Sequence, residues 1–179
     1  DACDSCPGDA LNDQDADGIC AGTGFSAPKT GDRDNCPTVA NTTQTNTDGD
    51  ALGDACDSCR GDALNDQDGD GICAGTGFSA PKTADHDNCP TVSNTNQANA
   101  DGDAAGDACD VCTNDALNDQ DGDGICVGVG FLAPKTGDRD NCPTVANTNQ
   151  ANADGDAAGD VCDVCRSDAL NDQDGDGFC

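Results

Sequence analysis

Several residue types that build conventional protein cores are scarce or absent in this sequence. None of its 179 residues is Trp, Tyr or Met, and only four are Phe. A 53-residue stretch offers about four sizeable apolar side chains, whose burial supplies on the order of 10 kcal/mol. Ordering such a stretch costs several times more, at about 1.5 kcal/mol per residue. Cross-links or metal ions must therefore replace most of the core.

Glutamate is also absent, so all 36 acidic residues are aspartates and the net charge is −29. Aspartate favours turns and loops, whereas glutamate suits helices. Nucleic acids and anionic membranes are poor partners at this charge, and no apolar run reaches the length of a membrane span. The one histidine, His86, cannot serve a repeated catalytic constellation. We therefore expect no enzyme activity, and we interpret the paired carboxylates as cation ligands rather than as a glycosidase pair.

The sequence does contain a repeat with a period of 53 residues, seen most clearly in its cysteines. Within each repeat they follow the order C-x2-C-x13-C-x15-C-x19-C. A fixed period of this size indicates an array of units that contact their neighbours. We expect repeats at residues 1–53, 54–106 and 107–159, and a partial fourth repeat at 160–179. Neither end has an atypical capping repeat, so we expect the chain to be a window of a longer array.

Fifteen cysteines in a chain of this length indicate a disulfide framework formed in an oxidising, extracellular compartment. If Cys36 pairs with Cys56, the repeat implies seven pairs and leaves Cys3 alone, with a partner expected 20 residues upstream. The seven pairs are Cys6–Cys20, Cys36–Cys56, Cys59–Cys73, Cys89–Cys109, Cys112–Cys126, Cys142–Cys162 and Cys165–Cys179. Zinc is the alternative, because C-x2-C recurs, but a single histidine disfavours it. Low hydrophobicity and high charge would otherwise indicate disorder, and the cysteines argue against that.

Two aspartate ladders recur in every repeat. The first has acids at alternate positions from Asp13 to Asp17, and the second runs from Asn46 to Asp57. Oxygen donors at positions 1, 3 and 5, a carbonyl at position 7 and an acid at position 12 are typical of an EF-hand-type calcium loop. Magnesium is the second choice, because it prefers fewer protein ligands. The alternatives are a solvated acidic face or disorder, which would not hold the acids at odd positions.

The candidate metal ligands fall into two sets. In the first-type loops they are Asp13, Asp15, Asp17, Ile19, Asp32, Asp34, Asp66, Asp68, Asp70, Ile72, Asp85, Asp87, Asp119, Asp121, Asp123, Ile125, Asp138, Asp140, Asp172, Asp174 and Asp176. In the second-type loops they are Asn46, Asp48, Asp50, Leu52, Asp54, Asp57, Asn99, Asp101, Asp103, Ala105, Asp107, Asp110, Asn152, Asp154, Asp156, Ala158, Asp160 and Asp163.

The segment 34–57 has the pattern D-N-C-P-x3-N-x2-Q-x-N-x-D-x-D-x2-G-D-x-C-D and resembles the thrombospondin type 3 repeat. That family's pattern is D-N-C-P-x3-N-x2-Q-x-D-x-D-x-D-G-x-G-D-x-C-D. The match recurs at 87–110 and 140–163 and, with the shorter ladders, covers most of the chain. The resemblance implies several calcium ions, linked successive cysteines, little conventional core and an extracellular location. We expect about two to four calcium ions per repeat.

The sequence departs from this family in three ways. Asparagine replaces the first acid of the second ladder, at Asn46, Asn99 and Asn152, and alanine replaces a usual glycine, at Ala51, Ala104 and Ala157. Ten residues are inserted after the third cysteine, at 21–30, 74–83 and 127–136. Removing the insertion brings Asp34 to position 12 and Asp32 to position 10 of the first loop. We infer that the insertion loops out while Asp34, Asp87 and Asp140 close the first-type sites.

Each insertion contains one large aromatic side chain, Phe25, Phe78 or Phe131. This phenylalanine either covers its own repeat or docks on a neighbouring repeat and sets the pitch of the array, and the sequence does not choose between these alternatives.

The fold class expected from these features is irregular, with little regular secondary structure: a calcium- and disulfide-stabilised tandem-repeat rod. The function expected is that of an extracellular structural protein forming a stalk, fibre or filament body. Its partners would be neighbouring repeats or identical subunits joined end to end. The alternative is an adhesive module, for which the only hint is the integrin-type tripeptide Arg60-Gly61-Asp62, present in one copy of four. Asn41 begins the only N-glycosylation sequon, and threonine-rich loops suggest O-linked glycans.

The two ends of the sequence fall inside expected sites. Asp1 and Asp4 match Asp54 and Asp57, so they form the tail of a loop. At the other end, the ladder beginning at Asp172 lacks a closing acid. We expect neighbouring sequence, in the same chain or the next subunit, to complete both.

Overall fold

The computed structural model of the chain describes residues 4–179. The predictions made for Asp1 and Cys3 lie outside these described residues. The chain divides into two compact units, Asp1–Thr95 and Asn96–Cys179. The boundary between the units does not fall at a repeat boundary expected from the sequence, and the division into 53-residue repeats stays a prediction.

In residues 4–179, regular secondary structure is limited to three pairs of two-residue parallel strands. In the first pair, Ile19 lies opposite Gly31 and Cys20 opposite Asp32. The strands are β1 (Ile19–Cys20), β2 (Gly31–Asp32), β3 (Ile72–Cys73), β4 (Ala84–Asp85), β5 (Ile125–Cys126) and β6 (Gly137–Asp138). Each pair brackets one ten-residue insertion, so the chain leaves the repeat after the third cysteine and returns alongside it. Residues 4–179 contain no helix, and the predicted irregular fold class is confirmed.

Aspartate side chains hold the turns between these short strands. Asp9 Oδ1 accepts a hydrogen bond from Leu11 N at 2.9 Å, and Asp17 Oδ1 accepts one from Ile19 N at 2.8 Å. This contact between a side chain and the backbone two residues later is an Asx turn, which the short aspartate side chain reaches and glutamate does not. The all-aspartate composition thus translates directly into a chain of turns.

The buried apolar residues are mainly cysteines. Cys6, Cys20 and Cys36 are fully buried and Ile19 is 8% exposed, whereas Leu11 is 65% exposed and Phe25 46% exposed. Six disulfides join Cys6–Cys20, Cys36–Cys56, Cys59–Cys73, Cys112–Cys126, Cys142–Cys162 and Cys165–Cys179. These are the same partners that the repeat arithmetic implies, and Cys89 and Cys109 are disulfide-bonded as well. Disulfides therefore fill the space that a hydrophobic core would occupy.

Each insertion lies against the start of its own repeat. Ser26 N donates to Ser5 O at 2.9 Å, and Ser79 N and Leu132 N make the equivalent bonds to Ser58 O and Val111 O. The backbones approach so closely that a Cβ added at Gly22 would lie 1.8 Å from Gly8 O. These contacts anchor the backbone of the insertion within its own repeat. The phenylalanine side chains stay 40–46% exposed, and their role in setting the pitch of an array stays a prediction.

Candidate metal centres

The acids of both ladders converge on common points. One carboxylate oxygen from each of Asp13, Asp15 and Asp17 lies within 4.8 Å of the other two. The same convergence occurs at Asp66/Asp68/Asp70 and Asp119/Asp121/Asp123 in the first-type loops, and at Asp48/Asp50/Asp57 and Asp101/Asp103/Asp110 in the second-type loops. In the second-type loops the cluster joins positions 3, 5 and 12. Oxygen-only clusters of this kind are the donor set that hard cations such as calcium prefer.

The first acid of a first-type loop holds the loop in its curled shape. Asp13 Oδ1 accepts a hydrogen bond from Asp17 N, and Asp13 Oδ2 accepts one from Gly18 N, both at 3.0 Å. Asn12 and Asp13 have positive φ angles of 54° and 61°, a conformation that Asn and Asp tolerate better than most residues. The same bonds form at Asp66, Asp119 and Asp172. The aspartate at position 1 therefore bonds to the backbone and also belongs to the carboxylate cluster.

The third position of each loop carries the most informative atom. Asp15 Oδ2 is buried and has no hydrogen-bond partner among the described residues. Five other aspartates share this property, all of them at position 3: Asp48, Asp68, Asp101, Asp121 and Asp154. A buried carboxylate oxygen without a donor is costly, and nearly all such groups in folded proteins have a partner or coordinate an ion. The six atoms therefore fit a bound cation at the centre of each loop.

The acids at position 12 are buried in both loop types. Asp57 belongs to the cluster with Asp48 and Asp50 and is 2% exposed. Asp34 is 8% exposed, and its charge helps to raise the pKa of Asp15. Asp87 and Asp140 act in the same way on Asp68 and Asp121. Asp34 N donates to Cys20 O at 3.0 Å, so the chain returns beside the ladder after the insertion, and the role of Asp34 as a closing ligand stays a prediction.

Burial and mutual repulsion raise the pKa of several of these carboxyl groups. Desolvation is the main cause of the raised pKa at Asp57, and the charges of Asp48, Asp50 and Asp54 add to it. Asp110 has a raised pKa for the same reasons. A bound divalent cation would reverse this penalty, because it favours the ionised carboxylates. The electrostatics of the loops are therefore those of cation sites.

Position 9 of the second-type loops braces the loop. Asp54 Oδ1 accepts a hydrogen bond from Thr47 N at 2.7 Å, and Asp54 Oδ2 accepts one from Thr47 Oγ1 at 2.8 Å. Asp107 and Asp160 accept the equivalent backbone bonds from Ala100 and Ala153. Both oxygens of Asp54 are therefore engaged with the loop, which suits a bracing group better than a direct ligand.

Position 1 of the second-type loops is occupied by asparagine. Asn46 Oδ1 accepts a hydrogen bond from Gly49 N at 2.7 Å, and Asn46 Nδ2 donates to Asp50 O at 2.9 Å. Asn99 and Asn152 make the same pair of bonds. The asparagine thus organises its loop much as Asp13 organises the first, but without a charge.

Position 7 is fixed by the acid two residues before it. Leu52 N donates to Asp50 Oδ1 at 2.7 Å, which matches the bond from Ile19 N to Asp17. The predicted position-7 residues Ile72, Ala105, Ile125 and Ala158 make the equivalent bond.

Asp32, predicted as a ligand at position 10, faces the insertion. It belongs to β2, and its Oδ2 accepts a hydrogen bond from Gly24 N at 2.7 Å. Asp85 and Asp138 accept the same bond from Gly77 and Gly130. The carboxylate therefore ties down the inserted loop.

Sequence reasoning missed two supporting groups. Asp9 Oδ2 accepts hydrogen bonds from Asp13 N at 3.1 Å and Ala21 N at 3.0 Å, which joins both ends of the first-type ladder. The hydrogen bond from Leu11 N, with those from Asp13 N and Ala21 N, lowers the pKa of Asp9. Gln44 Nε2 donates to Asp34 Oδ1 at 2.9 Å and so orients the closing acid. Both residues recur at the same place in every complete repeat, which is the signal that could have identified them.

Successive loops are linked through the acids at position 5. Asn41 N donates to Asp17 Oδ2 at 2.8 Å, across 24 residues. Asn65 Nδ2, at the start of the following first-type loop, donates to Asp50 Oδ2. Equivalent contacts join Asn94 to Asp70, Asn147 to Asp123, Asn118 to Asp103 and Asn171 to Asp156. An ordered loop therefore helps to fix the next one along the chain.

The integrin-type tripeptide and the glycosylation sequon each include a side chain that is not freely exposed. Asp62 of the integrin-type tripeptide is 8% exposed, and its carboxylate accepts bonds from Leu64 N and Ala74 N. This acid is the counterpart of Asp9 and is used inside the repeat. The side chain of Asn41, the predicted glycosylation site, is half-buried beside Asn35 and Gln44.

Among residues 4–179 no helix is long and apolar enough to cross a membrane. No family model matches the sequence. Human cartilage oligomeric matrix protein is 40% identical over 81 residues, which is 45% of this chain and 8% of that protein. The chain thus spans a small fraction of this relative's length. The match and the disulfide-linked aspartate clusters are together consistent with thrombospondin type 3 repeats, in a chain with the features of an extracellular calcium-binding repeat protein.

Proposed function

We propose that this chain is a tandem array of thrombospondin type 3-like repeats that binds calcium in both of its loop types. The observation that carries the proposal is the buried, partnerless oxygen at position 3 in six loops. Five of these six aspartates, Asp15, Asp48, Asp68, Asp101 and Asp121, belong to clusters whose carboxylate oxygens lie within 4.8 Å of one another. Asp15, Asp17 and Asp34, beside Asp13, would hold an ion in the first loop, and Asp48, Asp50 and Asp57 in the second.

Calcium is the cation favoured by this donor set. Calcium takes six to eight oxygens in flexible geometry, whereas magnesium requires an octahedral arrangement and retains several waters. The clusters supply several carboxylate oxygens to one point. Two loop types per repeat give at least two ions per repeat. Bound ions would neutralise much of the −29 charge that otherwise drives the chain apart.

Calorimetric titration of the chelator-treated protein tests this assignment. With the disulfides intact, we expect calcium to bind at several sites per repeat. Magnesium, which carries the same charge, should bind much more weakly. Equal affinities for the two ions would contradict a calcium site. Binding of neither ion would contradict a metal function for the ladders.

The proposed role is structural and extracellular, with no catalytic activity. Disulfides at this density are typical of secreted proteins, and the partial relative carries the name of a matrix protein. Nearly identical repeats favour a stalk, fibre or filament body that contacts neighbouring repeats or identical subunits, with glycans as possible additions. The burial of Asp62 disfavours an adhesive role through the integrin-type tripeptide.

Electron microscopy of the native material distinguishes the two roles. A stalk or filament body should show an axial repeat that corresponds to 53 residues. Isolated particles that bind a cell-surface ligand, and that show no end-to-end assembly, would instead support the adhesive module.

A further inference from the structure

Every insertion returns a lysine to the first acid of its loop. Lys29 Nζ donates to Asp13 Oδ2, and Lys82 Nζ lies 2.6 Å from Asp66 Oδ2. The third copy joins Lys135 Nζ to Asp119 Oδ2 at 2.8 Å. In each pair the aspartate side chain is 1% exposed and the lysine side chain 19–20% exposed. These ion pairs are sheltered from solvent, unlike ordinary surface salt bridges.

The backbone fixes each lysine at this place. Thr30 N, which follows Lys29, donates to Gly18 O at 2.8 Å, and Lys29 N donates to Ser26 O at 3.1 Å. Thr83 and Thr136 make the same bond to Gly71 and Gly124. The sequence contains three lysines in all, and each one occupies this position. The ion pair is therefore a built feature of the repeat.

The lysine does not fill the centre of the loop. In all three copies the position-3 oxygen, such as Asp15 Oδ2, stays without a hydrogen-bond partner while the lysine pairs with position 1. The ammonium group therefore compensates the charge of the acid at position 1. The oxygens of the other acids remain available to a cation.

A comparison of the two loop types shows what this compensation achieves. Position 1 of a second-type loop is the neutral Asn46, which organises its loop through hydrogen bonds to Gly49 N and Asp50 O. Position 1 of a first-type loop is Asp13, which organises its loop by accepting hydrogen bonds from Asp17 N and Gly18 N and is neutralised by Lys29. Both loop types thus present a neutral first position and three uncompensated acids at positions 3, 5 and 12.

We propose that Lys29, Lys82 and Lys135 are charge-compensating residues of the first-type loops, which lower the affinity of these loops for calcium and keep them ordered in its absence. This inference rests on the calcium function proposed above. The insertion would then be part of the site, because it sets the calcium affinity of the first-type loops through a positive charge of the chain itself.

Replacement of all three lysines by methionine tests the proposal. The K29M/K82M/K135M protein keeps the length and apolar stem of each side chain but loses its charge. Calcium isotherms should be recorded by calorimetry with a competing chelator at fixed ionic strength. A divalent ion and an ammonium group about 6 Å apart repel by enough to change affinity on the order of tenfold. We expect three sites to bind calcium about tenfold more tightly, and the chelated protein to be larger by X-ray scattering.

Two controls separate the specific effect from a general change in charge. The R60Q/R166Q protein loses two exposed positive charges outside the loops and should bind calcium as the wild type does. Lys→Arg at the three positions keeps the charge and should preserve both the affinity and the size of the chelated protein. Unchanged or weaker calcium binding by the methionine variant, while the wild type binds normally, would overturn this inference alone. A wild type that binds no calcium would overturn the proposed function as well.

Discussion

Replacement of Asp48 by asparagine tests the position-3 acid in one loop. Asp48 Oδ1 accepts a hydrogen bond from Asp50 N at 3.1 Å, while Asp48 Oδ2 is buried without a partner. An asparagine in the same pose keeps the first contact and turns an NH2 group toward the loop centre. The D48N variant therefore removes a negative charge and presents donor hydrogens to the cation, with little change in shape.

The expected loss follows from the charges involved. A divalent cation and a carboxylate at about 4 Å attract by about 2 kcal/mol in water, which is about thirtyfold in affinity. Because Asp48 Oδ2 is buried, this is a lower bound. Native mass spectrometry at stepped free calcium counts the ions on each chain. We expect D48N to carry one ion fewer than the wild type at calcium concentrations that just saturate the wild type.

Asp54→Asn is the matched control, since it removes the same charge from the same loop. Both oxygens of Asp54 contact Thr47, so we expect an effect of about threefold or less, as for a charge that does not contact the ion. Equal ion loss in D48N and D54N would refute the distinct roles assigned to positions 3 and 9. An unchanged ion count in D48N would refute the reasoning from the partnerless oxygen.

Three further predictions concern packing, cross-links and pH. A Cβ at Gly53 would lie 2.1 Å from Asn35 Oδ1, so G53A should lower the free energy of unfolding by about 1–3 kcal/mol in a urea titration with calcium. Joint replacement of Cys112 and Cys126 by serine removes a buried cross-link and should cost about 3 kcal/mol in the same assay. Burial raises the pKa of Asp57, so protons compete with calcium there, and calorimetry should show affinity falling on acidification from a higher pH than for an ordinary carboxylate.

Each of these has a result that would contradict it. Gly49 has open space around it, so the control variant G49A should lose only about 1 kcal/mol of unfolding free energy, from the strain of its positive φ. A loss in G53A no larger than that in G49A would exclude the clash between the added Cβ and Asn35. A serine double variant as stable as the wild type would exclude the disulfide as a core substitute. Because the pKa of Asp57 is raised, the cation-free fold binds this proton more readily than the unfolded chain, and its stability increases as pH falls through that pKa. Protonation of Asp57 opposes calcium binding, so tighter calcium binding in acid would contradict the prediction.

The periodic features of the sequence predicted most of the architecture. If Cys36 pairs with Cys56, the period implies the equivalent pairs in the other repeats, and the structure contains the Cys36–Cys56 disulfide. Aspartates at odd positions predicted the converging clusters, because alternate side chains of a curled loop face one centre. The absence of glutamate and the scarcity of large apolar residues predicted an irregular fold dominated by loops, and residues 4–179 contain no helix.

The remaining features depend on contacts that spacing does not specify. Asp32 and Asp54 fit the ligand pattern, but their carboxylates contact Gly24 and Thr47, because nearby backbone donors compete for a short acidic side chain. The ion pair of Lys29 with Asp13 spans 16 residues and depends on how the insertion folds back. The two-residue strands depend on the same return of the chain.

Small-angle X-ray scattering before and after calcium chelation, with the disulfides kept intact, tests the central claim most directly. Calcium and disulfides together are proposed to replace the core, so removal of calcium exposes the mutual repulsion of 36 aspartates. We expect the radius of gyration to rise on chelation and to return to its first value when calcium, but not the same concentration of magnesium, is restored. An unchanged radius of gyration in excess chelator would contradict it.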